Sequence, residues 1–336
     1  MGVSRRERVT VVGDGGWGTA LAVLLAGKGH AVQLWGAFPD YVAAMREQRE
    51  NVKFLPGVSL PEAIELVDDL AAAVAGADLV VAAVPTQFVR GVLARLGGAW
   101  PRGTPVVSVA KGIENHTLLR PSQIVTDTLG RTPVAALSGP SHAEEVARGL
   151  PTTVAVASRN APLARHAQRL FMTERFRVYT NRDIVGVELG GAVKNVIAIA
   201  SGICDGLGLG DNAKAALLTR GLAEMIRLGV AMGARRDTFA GLAGMGDLIT
   251  TCMSPYGRNR SVGVQIGQGR KVKDILAGME QVAEGVRTTL SVRELARRHG
   301  VEMPIADQVC RVLFRGKGAA RAVSDLMRRA AKDEVG

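Results

Sequence analysis

A lysine inside an apolar segment is the first residue of this sequence that could do acid–base chemistry. Lys194 lies in residues 187–197, where Glu188 and Asn195 are the only other charged or amide side chains. Burying a lysine costs free energy unless it has a partner or a task. Such a lysine can give a proton to a ketone oxygen and stabilise the charge that develops there. We therefore predict that Lys194 is a general acid and base; the alternative is a lysine whose head reaches water from the rim of a helix.

The pKa of Lys194 sets a condition on that role. A free lysine has a pKa of about 10.4. Burial or a second cation has to lower this pKa if the amine is to exchange protons near neutral pH. Asp247 would oppose the shift if it lay close.

A glycine-rich turn near the start of the chain could hold a dinucleotide. It follows the apolar residues 9–12, precedes the helical pattern of residues 19–25, and reads Gly13-Asp14-Gly15-Gly16-Trp17-Gly18. Glycines in such a strand–turn–helix unit let the chain reverse, let a pyrophosphate approach the backbone, and let the helix pack closely on its strand. The N-terminus of the helix adds free N–H groups and partial positive charge. The alternative is a turn with only a structural role.

Two further turns of small residues follow apolar segments. Lys111 comes after residues 105–109, and Gly139 and Ser141 come after residues 134–137. If these segments are parallel strands, their turns meet the glycine-rich turn at the sheet edge where open α/β folds bind ligands. We therefore expect a cleft at this edge with Lys111 inside it. The alternative for Lys111 is a surface ion pair.

A second basic cluster could bind a phosphate. Arg258 and Arg260 flank Asn259 in a segment that follows Pro255. One guanidinium could grip a phosphate through two hydrogen bonds while the other serves elsewhere. Solvated loop arginines are the alternative.

The elements that must position these residues follow from the apolar pattern. Short segments that are apolar on both faces alternate with helical segments up to residue 180, which predicts a doubly wound, mostly parallel sheet. From residue 183 onward long helices rich in Ala, Leu, Val and Ile replace the strands. The sequence therefore predicts an α/β Rossmann domain for dinucleotide binding, residues 1–185, followed by an all-α domain for substrate binding and catalysis, residues 186–336.

The composition fits a globular chain of two domains. The 336 residues are 47% hydrophobic and 22% charged, with a net charge of +11. Many basic residues near the C-terminus lie at helical spacing without the interleaved aromatics that stack nucleic-acid bases, so we interpret them as a solvated face. We expect no nucleic-acid partner. A catalytically silent dinucleotide sensor or a nucleic-acid-binding protein is the alternative that the charge allows.

Targeting, membrane and metal signals are absent from the sequence. The basic N-terminus has no apolar core, and the longest apolar stretches are of strand length or contain Lys194. The three cysteines form no CxxC pair, and the five histidines have no metal-ligand spacing. We predict a cytoplasmic protein without a metal and without a membrane span.

Taken together, these motifs resemble those of the bacterial NAD(P)-dependent glycerol-3-phosphate dehydrogenases. The resemblance runs essentially from end to end. It is carried by residues 13–22, 110–114, 137–143, 179–200, 210–225, 244–252, 257–260 and 282–286. It implies a Rossmann domain and a helical domain with the substrate held between them.

The resemblance also implies a reaction. This is reversible hydride transfer between NAD(P)H and dihydroxyacetone phosphate, which gives sn-glycerol 3-phosphate for glycerophospholipid synthesis. The partner would be this small phosphorylated substrate, and a homodimer is compatible with the pattern. A 3-hydroxyacid or ketopantoate-type reductase on the same plan is the alternative enzyme, but it would need a carboxylate clamp, whereas residues 257–260 suit a phosphate.

Site residues follow from the resemblance position by position. It implies Lys194 as the general acid and base. The substrate-binding residues that it implies are Lys111, Gly139, Ser141, Asp247, Gly257, Arg258 and Asn259. The cofactor-binding residues that it implies are Gly13, Gly15, Gly16, Trp17, Gly18, Lys111, Ala143, Arg258, Val282 and Glu284, with the last two closing over the nicotinamide end.

Several positions depart from the family pattern. Gly16 and Gly257 stand where serines are usual, and His142 stands where an aromatic hydrocarbon is usual. Glycine N–H groups can replace hydroxyl donors at an anion site. The run Gly36-Ala37-Phe38 has neither the acidic residue that favours NAD nor the basic residues that bind the 2′-phosphate of NADP. We therefore expect weak discrimination between the two cofactors.

Overall fold

The chain divides into a sheet with flanking helices and a set of helices. The computed structural model describes residues 6–279, 282–331 and 333–334. The strands are β1 (Arg8–Val12), β2 (Ala31–Trp35), β3 (Glu50–Asn51), β4 (Leu55–Ser59), β5 (Ile64–Val67), β6 (Leu79–Ala82), β7 (Val106–Ser108), β8 (Val134–Ser138), β9 (Thr152–Ala157) and β10 (Phe176–Asn181). The helices among them are α1 (Gly16–Gly27), α2 (Pro39–Gln48), α3 (Leu70–Val74), α4 (Thr86–Ala94), α5 (Pro121–Leu129), α6 (Ala143–Ala147) and α7 (Ala161–Phe171), with a 3-10 turn at Gly97–Ala99.

Eight strands form one sheet in the order β10-β9-β8-β7-β6-β1-β2-β5. The six strands from β5 to β8 run parallel, and β8 pairs antiparallel with β9. Along the chain these six have the 3-2-1-4-5-6 order of the dinucleotide-binding fold. The order reverses between β1 and β6, and such a switch point opens a crevice at the carboxyl ends of the strands. The predicted doubly wound, mostly parallel sheet is confirmed.

Helices cover both faces of the sheet, which explains why its strands are apolar throughout. Val11 of β1 packs in one core with Leu21 and Leu25 of α1. The next residue, Val12, points to the other core, where Leu93 of α4 lies. Alternate side chains of a strand enter opposite faces, so both faces of β1 need apolar residues.

The second half is helical, as predicted. Its helices are α8 (Ile184–Gly206), α9 (Gly210–Ala231), α10 (Arg236–Ala240), α11 (Asp247–Met253), α12 (Arg258–Gly267), α13 (Val272–Ala277), α14 (Glu284–Arg298), α15 (Pro304–Arg315) and α16 (Ala319–Met327), with a π-helical turn at Leu242–Gly246. The long helix α8 lies at the centre of the core of this half, and the other helices pack around it.

Glycines let α8 and α12 approach each other closely. A Cβ on Gly202 of α8 would lie 2.0 Å from the carbonyl oxygen of Arg260. A Cβ on Gly263 of α12 would lie 2.1 Å from the carbonyl oxygen of Ile199. Backbone therefore packs against backbone, and this contact fixes α8 relative to the start of α12.

One helix in the described part of the chain, α8, is long and apolar enough to cross a membrane by length and composition alone. Its mean hydropathy is 1.5 over the most apolar window, and 94% of that window is buried inside the protein. This is the environment of a core helix.

The predicted segments match the observed elements unevenly. Residues 31–35 and 152–157 coincide with β2 and β9, whereas residues 77–84 contain a shorter strand, β6. The edge strand β5 and the hairpin β3–β4 have no counterpart among the predictions, because they are short and only partly apolar. The predicted boundary at residue 185 lies in the first turn of α8 and stays a prediction.

Candidate active site

The glycine-rich turn between β1 and α1 has the shape that an anion site needs. Gly13 has φ of +119°, which side chains rarely adopt. A Cβ on Gly18 would lie 2.0 Å from the carbonyl oxygen of Gly13. Gly15 borders open space, since the described residues place no heavy atom within 4 Å of its would-be Cβ. No described side chain caps α1, so its first N–H groups are available to a pyrophosphate. The turn therefore fits a dinucleotide.

The backbone of Phe54 leaves no room for a side chain at residue 16, which explains the glycine there. A Cβ there would be 2.5 Å from the carbonyl oxygen of Phe54, and the Cβ of Ala143 lies 3.6 Å from the same point. A serine would force Phe54 to move, which is a physical reason for the departure from the family pattern at residue 16.

The side chain of Trp17 packs into the core of the sheet domain. Its ring centroid lies 6.4 Å from that of Phe176.

Two lysines from the two halves of the chain share one buried carboxylate. Lys111, after β7, donates from Nζ to Asp247 Oδ2 at 2.8 Å and to the Gly139 carbonyl oxygen at 2.8 Å. Lys194, in α8, donates to Asp247 Oδ1 at 2.7 Å and to Thr251 Oγ1 at 2.5 Å. The sequence predicted each of these residues except Thr251 as part of the site, and the structure brings them together.

The turn after β8 completes the surroundings of Lys111. Ser141 Oγ lies 3.4 Å from Lys111 Nζ and donates to the Gly139 carbonyl oxygen at 3.0 Å. Gly139 has φ of +145°, and a Cβ there would lie 2.9 Å from Cα of Val154. Only glycine fits this turn, which explains the small-residue pattern.

The electrostatics of the cluster suit proton exchange at Lys194. Burial lowers the pKa of Lys194 to about 8; Asp247 opposes this shift and the charge of Lys111 adds to it. Burial would raise the pKa of Asp247, but the charges of Lys111 and Lys194 outweigh burial and hold that pKa below its ordinary value. The nearby Cys252 is no nucleophile, because burial raises the pKa of its thiol to about 12.

Amide side chains connect Lys111 to the helical half. Asn195 donates from Nδ2 to the Lys111 carbonyl oxygen at 2.8 Å. Its Oδ1 accepts from Asn259 Nδ2 at 3.0 Å, and Asn259 Oδ1 accepts from the Gly285 N–H at 2.9 Å. Asn259 therefore keeps one amide N–H for a ligand. The contacts with Asn195 of α8 and Gly285 of α14 set the position of Asn259.

The two arginines after Pro255 have different surroundings. Arg260 donates from Nε to Asp205 Oδ2 at 2.7 Å. Arg258 begins α12, is exposed, and forms no ion pair within the described chain. Gly257, just before it, is buried, and a Cβ there would lie 2.9 Å from the Thr251 carbonyl oxygen. The free guanidinium of Arg258 thus lies at a helix N-terminus, where anions are favoured.

Val282 and Glu284 lie where the two halves meet. Glu284 Oε1 accepts from the N–H of Thr86, the first residue of α4, at 2.7 Å. Val282 is 41% exposed and Phe88 is 55% exposed. Both border an open cleft of about 730 Å³. An exposed aromatic ring beside a cleft is suited to contact a planar ligand.

His142 packs near the Lys111–Asp247–Lys194 cluster as an uncharged ring. Its ring centroid lies 5.8 Å from that of Tyr256. Burial, and then the charge of Lys194, lower the pKa of His142, so the ring is neutral at pH 7. It fills the place of an aromatic side chain. The described residues contain no group of three His, Cys, Asp or Glu side chains that could hold a metal ion.

Thr251 and Asn195 are the site residues to which the sequence assigned no role. Thr251 follows Asp247 by four residues in α11, a spacing that places both side chains on one helix face, so the pattern held a usable signal. The contacts of Asn195 join residues far apart in the chain. No local pattern indicates them.

Comparisons with known proteins agree with this geometry. The family models described as NAD-dependent glycerol-3-phosphate dehydrogenase N-terminus and C-terminus match residues 8–164 and 183–324. The glycerol-3-phosphate dehydrogenase (NAD(P)+) of Moorella thermoacetica is 53% identical over 330 residues, which are 98% of each chain. That of Citrifermentans bemidjiense is 54% identical over 331 residues, 98% of this chain and 99% of the relative.

A solved structure shares the whole architecture. The crystal structure of glycerol-3-phosphate dehydrogenase from Coxiella burnetii has a TM-score of 0.93 and 40% identity, and the match covers 96% of this chain and 99% of that one. Both halves of the chain, the site that they enclose and the full-length relatives therefore agree: the chain belongs to the NAD-dependent glycerol-3-phosphate dehydrogenase family.

Proposed function

We propose that this enzyme catalyses the reversible reduction of dihydroxyacetone phosphate to sn-glycerol 3-phosphate with NAD(P)H. The observation that carries the proposal is the buried Lys111–Asp247–Lys194 cluster at the carboxyl edge of the sheet. The glycine-rich turn that fits a dinucleotide follows another strand of the same parallel sheet. Lys111 is connected through Asn195 to Asn259, which is next to Arg258, an arginine without an ion pair in the described chain. Reduction of a phosphorylated ketone by a dinucleotide requires an acid–base group, a dinucleotide site and a phosphate site.

Lys194 is the proton donor in the proposed mechanism. Bound NAD(P)H supplies the hydride to the carbonyl carbon. Lys194 Nζ gives its proton to the carbonyl oxygen as negative charge develops there. In the reverse direction the neutral amine takes the proton from the alcohol. A pKa of about 8 allows both directions near neutral pH.

Asp247 and Thr251 hold Lys194 in place. The carboxylate and the hydroxyl accept two hydrogen bonds from Nζ, which leaves one donor position of the ammonium for the substrate. Lys111, held by the other carboxylate oxygen, adds a second positive charge beside the developing alkoxide. Gly139 and Ser141 line the substrate on the same side.

The phosphate of the substrate binds at the start of α12. Arg258 donates two parallel hydrogen bonds to its oxygens. The N–H groups of Gly257 and Asn259 are at the same helix terminus, where the backbone favours negative charge. This assignment gives a reason for Gly257, whose backbone can approach an anion closely.

The cofactor would lie along the edge of the sheet. The residues that we assign to it are Gly13, Gly15, Gly16, Trp17, Gly18, Lys111, Ala143, Arg258, Val282 and Glu284. The turn residues bind the pyrophosphate through backbone N–H groups, and Ala143 borders the path beside Gly16. Val282 and Glu284 close the nicotinamide end.

The cellular role that we propose is supply of sn-glycerol 3-phosphate to glycerophospholipid synthesis in the cytoplasm. The partner is the small phosphorylated substrate, with no nucleic acid. A homodimer is compatible with the proposal.

The experiment that tests the function follows oxidation of NADH and of NADPH by nicotinamide absorbance. Dihydroxyacetone phosphate is the expected substrate, and unphosphorylated dihydroxyacetone and ketopantoate are the comparison ketones. We expect rapid oxidation with dihydroxyacetone phosphate alone. Faster turnover of ketopantoate would overturn the proposal in favour of a carboxylate-binding reductase.

A further inference from the structure

Asp14 is a buried carboxylate that the mechanism does not use. It stands between Gly13 and Gly15 in the glycine-rich turn and is 8% exposed. Its Oδ2 is buried and has no hydrogen-bond partner among the described residues. Burial raises the pKa of Asp14, while its own backbone N–H and the charge of Lys53 oppose the rise. A carboxylate oxygen without a donor is costly to bury, and no described residue supplies a donor to Asp14 Oδ2.

The carboxylate of Asp14 lies at the carboxyl end of the neighbouring strand. A Cβ on Gly36, the residue after β2, would lie 2.5 Å from Asp14 Oδ2 and 2.6 Å from Cγ2 of Val42. Glycine at position 36 therefore leaves space for the carboxylate of Asp14. In dinucleotide-binding sheets an acidic side chain at this end of the second strand accepts hydrogen bonds from the adenosine ribose.

The surrounding contacts hold Asp14 in this position. The backbone oxygen of Asp14 accepts from Asn51 Nδ2 at 2.7 Å and from Thr19 Oγ1 at 3.2 Å. Asn51 is held in turn by Tyr41, whose hydroxyl donates to its Oδ1 at 2.6 Å. These contacts come from α1, α2 and the hairpin β3–β4. The turn is thus fixed from three sides before any ligand binds.

Asp40 and Arg46, two other charged residues near β2, do not occupy the position of an acidic side chain at the carboxyl end of this strand. Asp40, in the first turn of α2, is exposed. Arg46 donates to the Leu66 carbonyl oxygen at 2.8 Å and to Asp68 at 3.0 Å. Among the charged residues that the structure describes, Asp14 alone combines burial, an unpartnered oxygen and contact with the end of β2.

We propose that Asp14 takes the part of the acidic residue missing from Gly36-Ala37-Phe38. Its carboxylate accepts hydrogen bonds from the hydroxyls of the adenosine ribose and disfavours a 2′-phosphate by repulsion and lack of space. The enzyme therefore prefers NADH to NADPH. Residues 36–38 do not show this preference, because the carboxylate comes from the first strand–helix turn. The inference rests on the proposed dinucleotide site but not on the substrate assigned to it.

Calorimetric titration with two cofactor fragments tests the proposal. ADP-ribose and 2′-phospho-ADP-ribose carry the adenosine end without nicotinamide, so the result is independent of dihydroxyacetone phosphate reduction. For the wild type we expect ADP-ribose to bind at least about tenfold more tightly, a difference of about 1.4 kcal/mol. Asp14→Asn should reduce this ratio at least about fivefold. Asp40→Asn, which removes the same charge from an exposed position, should leave it unchanged.

A third fragment keeps the test independent of how Asp14→Asn folds. Replacing ADP-ribose by its 2′-deoxyribose analogue on the wild type should weaken binding at least about threefold, because one hydrogen bond to the carboxylate is lost. Equal binding of the 2′-deoxy compound, equal or tighter binding of the 2′-phosphate, or an unchanged ratio in a folded Asp14→Asn would each overturn the assignment.

Discussion

At the scale of single residues, Asp247 has an unusual position because it serves two lysines from different halves of the chain. Its side chain is 2% exposed, and each oxygen accepts from one ammonium. Two cations around one anion leave a net positive charge in a buried site. In the proposed mechanism that charge stabilises the negative charge that develops on the substrate oxygen in the transition state, which lowers the barrier in both directions.

Replacing Lys194 by alanine should remove most of the turnover. We expect kcat to fall by about 10²–10⁴-fold, the usual effect of losing a general acid, while the Kd for NADH changes little. Lys214→Ala is the matched control, since Lys214 is a mostly buried lysine of the same half, paired with Asp205. Turnover of a folded Lys194→Ala within about threefold of wild type would exclude the role.

The pH profile should follow the protonation of Lys194. Reduction needs the ammonium, so kcat for dihydroxyacetone phosphate should fall as pH rises through about 8. Oxidation needs the neutral amine, so its kcat should rise through the same range. Asp247 raises the pKa of Lys194, and Asp247→Asn should therefore move both limbs to lower pH. A shift to higher pH would contradict this assignment.

Arg258 should distinguish phosphorylated from plain ketones. A hydrogen bond to a charged group contributes about 1.5–3 kcal/mol, so Arg258→Ala should weaken binding of dihydroxyacetone phosphate more than tenfold at about 1.4 kcal/mol per decade. The KM for unphosphorylated dihydroxyacetone should change little. Arg298→Ala, a surface arginine of α14, provides the control. An equal loss for both ketones would show that Arg258 does not contact the phosphate.

At the scale of elements, the site depends on how closely α8 and α12 pack. α8 carries Lys194 and Asn195, and α12 begins with Arg258 and Asn259. Glycines on both helices bring these residues within reach of one substrate. A larger side chain in the contact would separate the proposed proton donor, Lys194, from the proposed phosphate site.

The glycine contact can be tested with a matched pair of alanine substitutions. Gly263→Ala places a Cβ 2.1 Å from the carbonyl oxygen of Ile199, and such overpacking costs about 1–3 kcal/mol. Gly91→Ala in α4 meets no heavy atom of the described residues within 4 Å and should stabilise its helix by about 0.5–1 kcal/mol. Urea unfolding measures both changes. A neutral Gly263→Ala would mean that the two helices can separate at no cost.

The sequence predicted those elements whose signal is local. The first strand, the glycine turn and α1 are adjacent in the chain, and Gly13 and Gly18 meet steric requirements within this unit. The hairpin β3–β4 was not predicted, although it brings Phe54 against Gly16 and Asn51 against Asp14. A contact between two distant segments leaves no hydrophobic periodicity in the sequence of either segment.

The same distinction holds for the candidate site. Lys194 could be found because a charge in an apolar run is a local anomaly. Its pKa could not, because it depends on Asp247 and Lys111, which reach Lys194 only in the folded chain. Asn195 likewise acquires its role from Asn259 and Gly285, in other helices.

At the scale of the whole molecule, the net charge of +11 is distributed mainly over the surface. Basic residues of the last helices pair with nearby acids, as Arg298 does with Glu294 and Arg311 with Asp307. This supports the interpretation of a solvated face.

A buried ion pair connects the two halves of the chain. Arg120, at the start of α5, donates to buried Glu188 of α8, which also accepts from Ser122.

Breaking the pair between the halves should cost far more than breaking a surface pair. Arg120 and Glu188 are 8% and 2% exposed, whereas Arg298 and Glu294 are 53% and 35% exposed. Arg120→Ala leaves a buried carboxylate unpaired and should destabilise the fold by about 3–5 kcal/mol. Arg298→Ala should change stability by about 0–1 kcal/mol. Similar unfolding midpoints for the two variants would refute this difference.

During synthesis, α8 leaves the ribosome before the helices that cover it. α12 and α14 comprise Arg258–Gly267 and Glu284–Arg298, so at about 5–20 residues per second a segment with the hydropathy of a membrane span stays uncovered for seconds. A charged residue near the centre of such a segment opposes insertion into a bilayer by about 2.5–3.5 kcal/mol. Lys194, to which we assign proton exchange in the folded enzyme, thus also adds to the cost of inserting the uncovered helix into a bilayer.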